Sequence, residues 1–112
     1  MCQRIIEKTK TFNKQLKKLH RHQGLKSSVE DRLNALNANE APDGDQFPKL
    51  HGFPVFKARC GKGNMGRRKG ARIVYYKDDA RFVALCIYLK SDKDNVSPKE
   101  ILKILKENNL LD

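Results

Sequence analysis

Between Phe53 and Tyr76 the chain reads FPVFKARCGKGNMGRRKGARIVYY, with Lys57, Arg59, Lys62, Arg67, Arg68, Lys69 and Arg72 and not one carboxylate. Guanidinium and ammonium groups at this density suit anionic oxygens, because one phosphodiester can accept hydrogen bonds from several donors at once. Lys57 and Arg59 stand two residues apart, so a β-strand projects both from the same face. Arg72 opens a second apparent strand, ARIVYY, beyond a glycine-rich basic loop. The chemistry on offer is the gripping of a phosphodiester and the stabilisation of extra negative charge on it.

Proton-transfer groups are less well marked. By period-two alternation Arg72, Val74 and Tyr76 share one face, and Tyr88 and Lys90 share a face of the following strand. A strand tyrosine is first a packing residue; stacking on a base or giving a proton is its functional alternative. His51 precedes the basic strand and could assist proton transfer, though a loop histidine with no catalytic role is the plainer reading. His20 and His22 fall on the exposed part of a helix and form no metal set with Cys2, Cys60 and Cys86. Gly61-Lys62-Gly63-Asn64-Met65-Gly66 spells GxGxxG, but a dinucleotide site needs a helix after the glycines, and here basic residues and a strand follow. Gly61 and Gly66 also have Walker A spacing, with Arg67-Arg68 where Lys-Ser/Thr is required. A basic hairpin tip that closes on RNA or on a protein surface fits the loop better. No metal or cofactor is expected.

Seven elements must hold these groups. Arg4 to Lys8 reads as a short strand. Thr11 caps a helix through about Arg21, with Phe12, Leu16 and Leu19 as its apolar stripe and Lys14, Lys17, Lys18 and Arg21 as a basic ridge. Gly24 ends it. A second helix, carrying Val29, Leu33 and Leu36, is expected to begin near Ser27 or Ser28, where Ser27 with Glu30 fits a capping box, and Asn37 to Pro48 is a polar loop. Strands follow at Val55 to Cys60, Ala71 to Lys77 and Arg81 to Leu89, the last two joined by the tight turn Lys77-Asp78-Asp79-Ala80. Ser97-Pro98-Lys99-Glu100 then starts a terminal helix with Ile101, Leu102, Ile104 and Leu105 on its apolar face. The order β-α-α-β-β-β-α predicts the α+β class: a small antiparallel-rich sheet, an N-terminal helical hairpin on one side of it, and a C-terminal helix.

At 112 residues this is one domain with one modest core. The net charge of +11 is concentrated: residues 1–26 carry +7 (eight cations, one carboxylate) and residues 51–76 carry +7 (seven cations, none). Residues 27–50 carry −3 and residues 77–112 balance. A polyanion is the implied partner, nucleic acid ahead of acidic protein, with a membrane surface a distant third. The longest apolar run, Phe82 to Leu89, is too short to span a bilayer. Met1 to Lys10 lacks a signal-peptide core, so a cytoplasmic location is expected. Three cysteines without CxxC spacing argue against a disulfide framework, and Cys86, inside an apolar run, is expected to pack as a small hydrophobe.

Lys49-Leu50-His51-Gly52, Val55-Phe56-Lys57-Ala58-Arg59 and Gly70-Ala71-Arg72-Ile73-Val74-Tyr75-Tyr76 resemble, in order and spacing, the RelE/HigB toxins of toxin–antitoxin systems. The opening RIIEKTKTFNKQLKKL, the basic insertion and the segment Tyr88 to Ser97 extend the resemblance over nearly the whole chain, towards the HigB-like branch in particular. It implies a ribosome-dependent mRNA endoribonuclease that works without a metal by attack of the RNA 2′-OH on its own 3′ phosphodiester. It also implies a cognate antitoxin, the ribosome's decoding-site RNA and mRNA as partners, and no membrane. On that resemblance Lys57 and Arg59 match the basic strand pair, Arg72 the arginine opening the next strand, and Lys90 a basic or polar position closing the last one. Lys62, Arg67, Arg68 and Lys69, with Lys14, Lys17, Lys18 and Arg21, become RNA-binding candidates. The tyrosine that some members carry near the C-terminus has no counterpart, as Ser97-Pro98 occupies that region. Tyr88, Tyr76, His51 or a lysine with a lowered pKa therefore remain candidates for general base or acid. Two other functions fit the same scaffold: a non-enzymatic inhibitor like the ParE branch that acts on DNA gyrase, and a non-catalytic RNA-binding module.

Overall fold

The computed structural model describes residues 5–19, 25–38, 45–47, 53–60, 70–78, 80–89 and 96–110. Their order is β1 (Ile6–Lys8), α1 (Lys10–Lys18), α2 (Leu25–Ala38), β2 (Asp45–Gln46), β3 (Val55–Cys60), β4 (Ala71–Lys77), β5 (Phe82–Leu89) and α3 (Pro98–Glu107). The strands form one mixed sheet in the order β1-β5-β4-β3-β2, in which β1 runs parallel to β5 and every other pair is antiparallel. The protein is thus α+β. No helix among the described residues is long and apolar enough to cross a membrane.

Both sheet faces are covered, and strand alternation divides the apolar residues between them. One face presents Ala58, Cys60, Ala71, Ile73, Tyr75, Phe82, Ala84, Ile87 and Leu89 to Phe12 of α1, to Leu19 just beyond it and to Val29, Leu33 and Leu36 of α2. The other presents Val55, Val74, Val83, Leu85, Cys86 and Tyr88, with Ile101, Ile104 and Leu105 of α3 packed against them. Cys86 packs among these side chains as a small hydrophobe, 1% exposed. β5 is buried along its whole length because it lies between two helical layers.

Several boundaries differ from the sequence expectation. The cap of α1 is Thr9, not Thr11: its hydroxyl accepts from Phe12 N–H at 3.0 Å and donates to the Leu85 carbonyl at 2.7 Å. One buried side chain thereby ends β1, starts the helix and ties both to β5, a double role closed to Thr11 inside the first turn. α1 stops at Lys18, with Leu19 as its C-cap; Arg21 and Gly24, expected to close it, lie outside the described residues. α2 starts at Leu25, so Ser27 lies within the helix and the capping box is not made. Glu30, freed from a capping role, instead pairs with Lys8. The polar loop contains the two-residue β2, paired to Phe56 and Lys57. Lys77 is buried and donates to the Leu36 carbonyl at 2.7 Å, occupying an acceptor in the last turn of α2 that the helix cannot satisfy itself.

Ser97 caps α3 as expected: its side chain accepts from Glu100 N–H, and Pro98 takes the first helical position. At the β4–β5 turn, the Asp78 carboxylate accepts from the N–H groups of Ala80 and Arg81 and from the Tyr76 hydroxyl. Arg81 then reaches Glu7 with two hydrogen bonds of 2.9 and 3.0 Å, fastening the turn to β1.

Candidate functional site

The register of three strands assembles the site. Arg59 of β3 lies directly opposite Arg72 of β4, and Arg72 lies directly opposite Tyr88 of β5. One step along the sheet, Lys57 faces Val74, which faces Cys86. Paired residues of an antiparallel ladder project from the same side, so Lys57, Arg59, Arg72 and Tyr88 share the α3 face. With neighbouring strands about 4.8 Å apart, Arg59 and Tyr88 sit roughly 10 Å from each other across the row, a span suited to one phosphodiester and the sugars beside it.

Exposure falls along the row. Arg59 is exposed and Lys57 half-buried, whereas Arg72 is 8% and Tyr88 7% exposed. Arg72 donates from Nη1 to the Ala71 carbonyl at 3.3 Å. At the open end, Arg32 of α2 donates from Nε to the Arg59 carbonyl at 2.9 Å, fastening the β3 backbone beneath the Arg59 side chain. Like charges directly opposed on a ladder destabilise it. Two arginines held in that relation, one of them nearly buried, concentrate positive charge on this face of the sheet.

A bulge puts Tyr88 in the row. Between Val74 and Tyr75 the pairing with β5 shifts from Cys86 to Ala84, which leaves Leu85 as an extra residue. Counted from Val83 by strict alternation, Tyr88 belongs on the face of α1 and α2; the extra residue transfers it to the face of Arg72. Its hydroxyl is buried and has no hydrogen-bond partner among the described residues. Burial pushes the phenol upward in pKa; the nearby Cys86 adds to this and Arg72 opposes it.

Tyr76 shares the face but is already committed. Its donation to Asp78, with burial and the Asp78 charge adding, pushes its pKa up to about 12, so it serves the turn and not proton transfer near neutral pH. Lys14, Lys17 and Lys18 are exposed on α1, which packs on the opposite side of the sheet, so the structure does not bring them to the Arg59–Arg72–Tyr88 row. Lys62, Arg67, Arg68, Lys69, Lys90, Arg21, His20, His22 and His51 lie outside the described residues. Among the described residues no three of His, Cys, Asp and Glu gather closely enough to hold a metal ion. Sequence reasoning missed Arg32, a helix-surface cation with no local signal linking it to the β3 edge.

Fold and site together define an α+β protein with a cationic, tyrosine-backed seat on one face of its sheet. Comparison with known proteins adds no identification: no family model matches the chain, and no curated protein does.

Proposed function

We propose that this chain is a RelE/HigB-like toxin: a ribosome-dependent endoribonuclease that arrests translation by cutting mRNA. The observation that carries the reading is the convergence of Lys57, Arg59 and Arg72 on one sheet face through the β3–β4 register. Supporting it, α1 and α2 precede the antiparallel strands and contribute to one core on the same face, as an N-terminal helical hairpin of the RelE type requires. In this reading the seat holds the scissile phosphodiester while the 2′-OH gives its proton to a general base and its oxygen attacks phosphorus; the bond to the 5′ oxygen breaks and that oxygen takes up a proton, leaving a 2′,3′-cyclic phosphate and a 5′-hydroxyl. Arg72, supported by Arg59 and Lys57, neutralises the charge that accumulates on the phosphoryl oxygens. The 2′-OH supplies the nucleophile, so the resemblance implies no metal. The reaction takes place in the cytoplasm on ribosome-bound mRNA, and a cognate antitoxin shields the cationic face until it is released.

The test is induction of wild-type and Arg72→Ala chains in growing cells, with mRNA 5′ ends mapped in the presence and absence of active ribosomes. Wild type is expected to stop growth and create new 5′ ends only on translated messages; Arg72→Ala is expected to do neither at equal abundance. Full cleavage by a stably expressed Arg72→Ala chain would remove the site assignment. Growth arrest without new 5′ ends would favour an inhibitor of the ParE kind, and salt-sensitive RNA binding without cleavage a plain RNA-binding module.

A further inference from the structure

Tyr88 combines two features that packing alone does not account for. Its hydroxyl is buried without a partner among the described residues, although buried hydroxyls are almost always satisfied. And the chain spends a bulge, at Leu85, to bring that hydroxyl beside a nearly buried arginine and away from the apolar layer under α1 and α2. Bulges are known to re-aim a side chain next to a functional site. Phenylalanine would fill the same space with no polar atom to satisfy. An O–H on the residue directly opposite Arg72 is a second donor available to an anion that the guanidinium binds.

We infer that the Tyr88 hydroxyl donates a hydrogen bond to a non-bridging oxygen of a phosphodiester seated on Arg72, which makes Tyr88 a phosphate-binding residue and not the general base. The inference rests on the seat described under the proposed function but needs no cleavage. The exposure gradient gives the direction of approach: the anion meets Arg59 and Lys57 first, then Arg72, and reaches Tyr88 at the closed end. Burial raises the phenol's pKa, so the hydroxyl keeps its proton and serves as a donor. The hydroxyl acquires its acceptor when the anion reaches Arg72.

The experiment compares full-length wild type, Tyr88→Phe and Arg72→Gln for binding a 2′-O-methyl RNA oligonucleotide, which cannot be cut, over a range of salt. Tyr88→Phe is expected to bind about tenfold or more weakly, the loss of one charge-assisted hydrogen bond, with an unchanged salt slope because no cation is removed. Arg72→Gln is expected to bind more weakly and to lower the slope by about 0.7. Thermal unfolding of Tyr88→Phe should match or exceed wild type, since the hydroxyl has no partner to lose among the described residues. Wild-type affinity in Tyr88→Phe, or a loss accompanied by a reduced salt slope or a reduced melting temperature, would overturn the inference. Inorganic phosphate should displace the oligonucleotide only at far higher concentration; displacement at equal concentration would reveal a free-phosphate site and overturn the phosphodiester assignment. The two readings fail separately. A chain that never cleaves mRNA would end the toxin proposal and leave this binding difference standing, whereas undiminished binding by Tyr88→Phe in a chain that does cleave would end this inference alone.

Discussion

Arg59→Gln should make the protein more stable while making it a poorer ligand for RNA. Arg59 and Arg72 are register partners on β3 and β4, and Arg59 is the exposed member of the pair. Two unit charges about 6 Å apart in a water-like dielectric repel by about 0.7 kcal/mol. Screening over a Debye length of about 8 Å at physiological ionic strength reduces this to about 0.3 kcal/mol. For a domain of this size the relief corresponds to a rise in melting temperature of about 1–2 °C at physiological ionic strength and about 2–4 °C at low salt. At about 1 M salt, where the Debye length is about 3 Å, the rise should nearly vanish. Glutamine keeps most of the aliphatic stem, so packing changes little. Circular dichroism melts of both proteins at low and high salt read the stability, and the RNA titration described above reads the binding, where the salt slope should fall by about 0.7. A lower melting temperature for Arg59→Gln at low salt would refute the reasoning, as would a shift of the same size at both salt concentrations. Either result would mean that the fold uses the Arg59 charge and does not merely tolerate it.

Thr9→Val removes both the α1 cap and the buried bond to Leu85, and should cost about 1–3 kcal/mol, read as a lower urea midpoint with an unchanged slope. Two carboxylates make the fold sensitive to acid. The Arg81 hydrogen bonds hold Glu7 below its ordinary 4.5 despite its burial. Burial pushes Asp78 up, yet the Tyr76 hydroxyl and the N–H groups of Ala80 and Arg81 together hold it below its ordinary 3.8. Stability from such depressed groups is present above their unfolded values and lost as pH falls through the folded ones, so urea midpoints should drop below about pH 4.5. A Glu7→Gln/Asp78→Asn double variant should show a flatter acid limb; an identical limb would exclude these residues. At the alkaline end the sign reverses. Tyr76, raised to about 12, contributes stability below about pH 10 that fades as pH rises through 12. An ultraviolet titration should show one tyrosine ionising near 12 that is absent from Tyr76→Phe.

Much of this structure is written locally. The start of α3 was legible because Ser97, Pro98 and Glu100 each satisfy a requirement of a helix N-terminus within one turn. The bounds of β3 and β4 were legible because their residues alternate between the two faces and glycines stand next to both. The placement of Lys57, Arg59 and Arg72 on a common face followed from the same alternation together with a hairpin pairing. Thr9 and Thr11 were not separable by sequence, since either can cap; the choice falls to Thr9 through the Leu85 carbonyl, 76 residues away in the chain.

Tyr88 marks the boundary between the two kinds of information. The run FVALCIYL is apolar throughout because β5 is covered on both faces, so its sequence carries no alternation from which a slip of one residue could be read. Composition and spacing alone determined that this chain has strands rich in cations, a capped terminal helix and a surplus of positive charge. Which side of the sheet receives the Tyr88 hydroxyl, and that Arg32 reaches around from α2 to the β3 edge, were decided by packing between segments distant in the chain. The physical reason is that caps and alternation are satisfied by near neighbours, whereas a bulge is set by how two helical layers and the sheet between them fill space together.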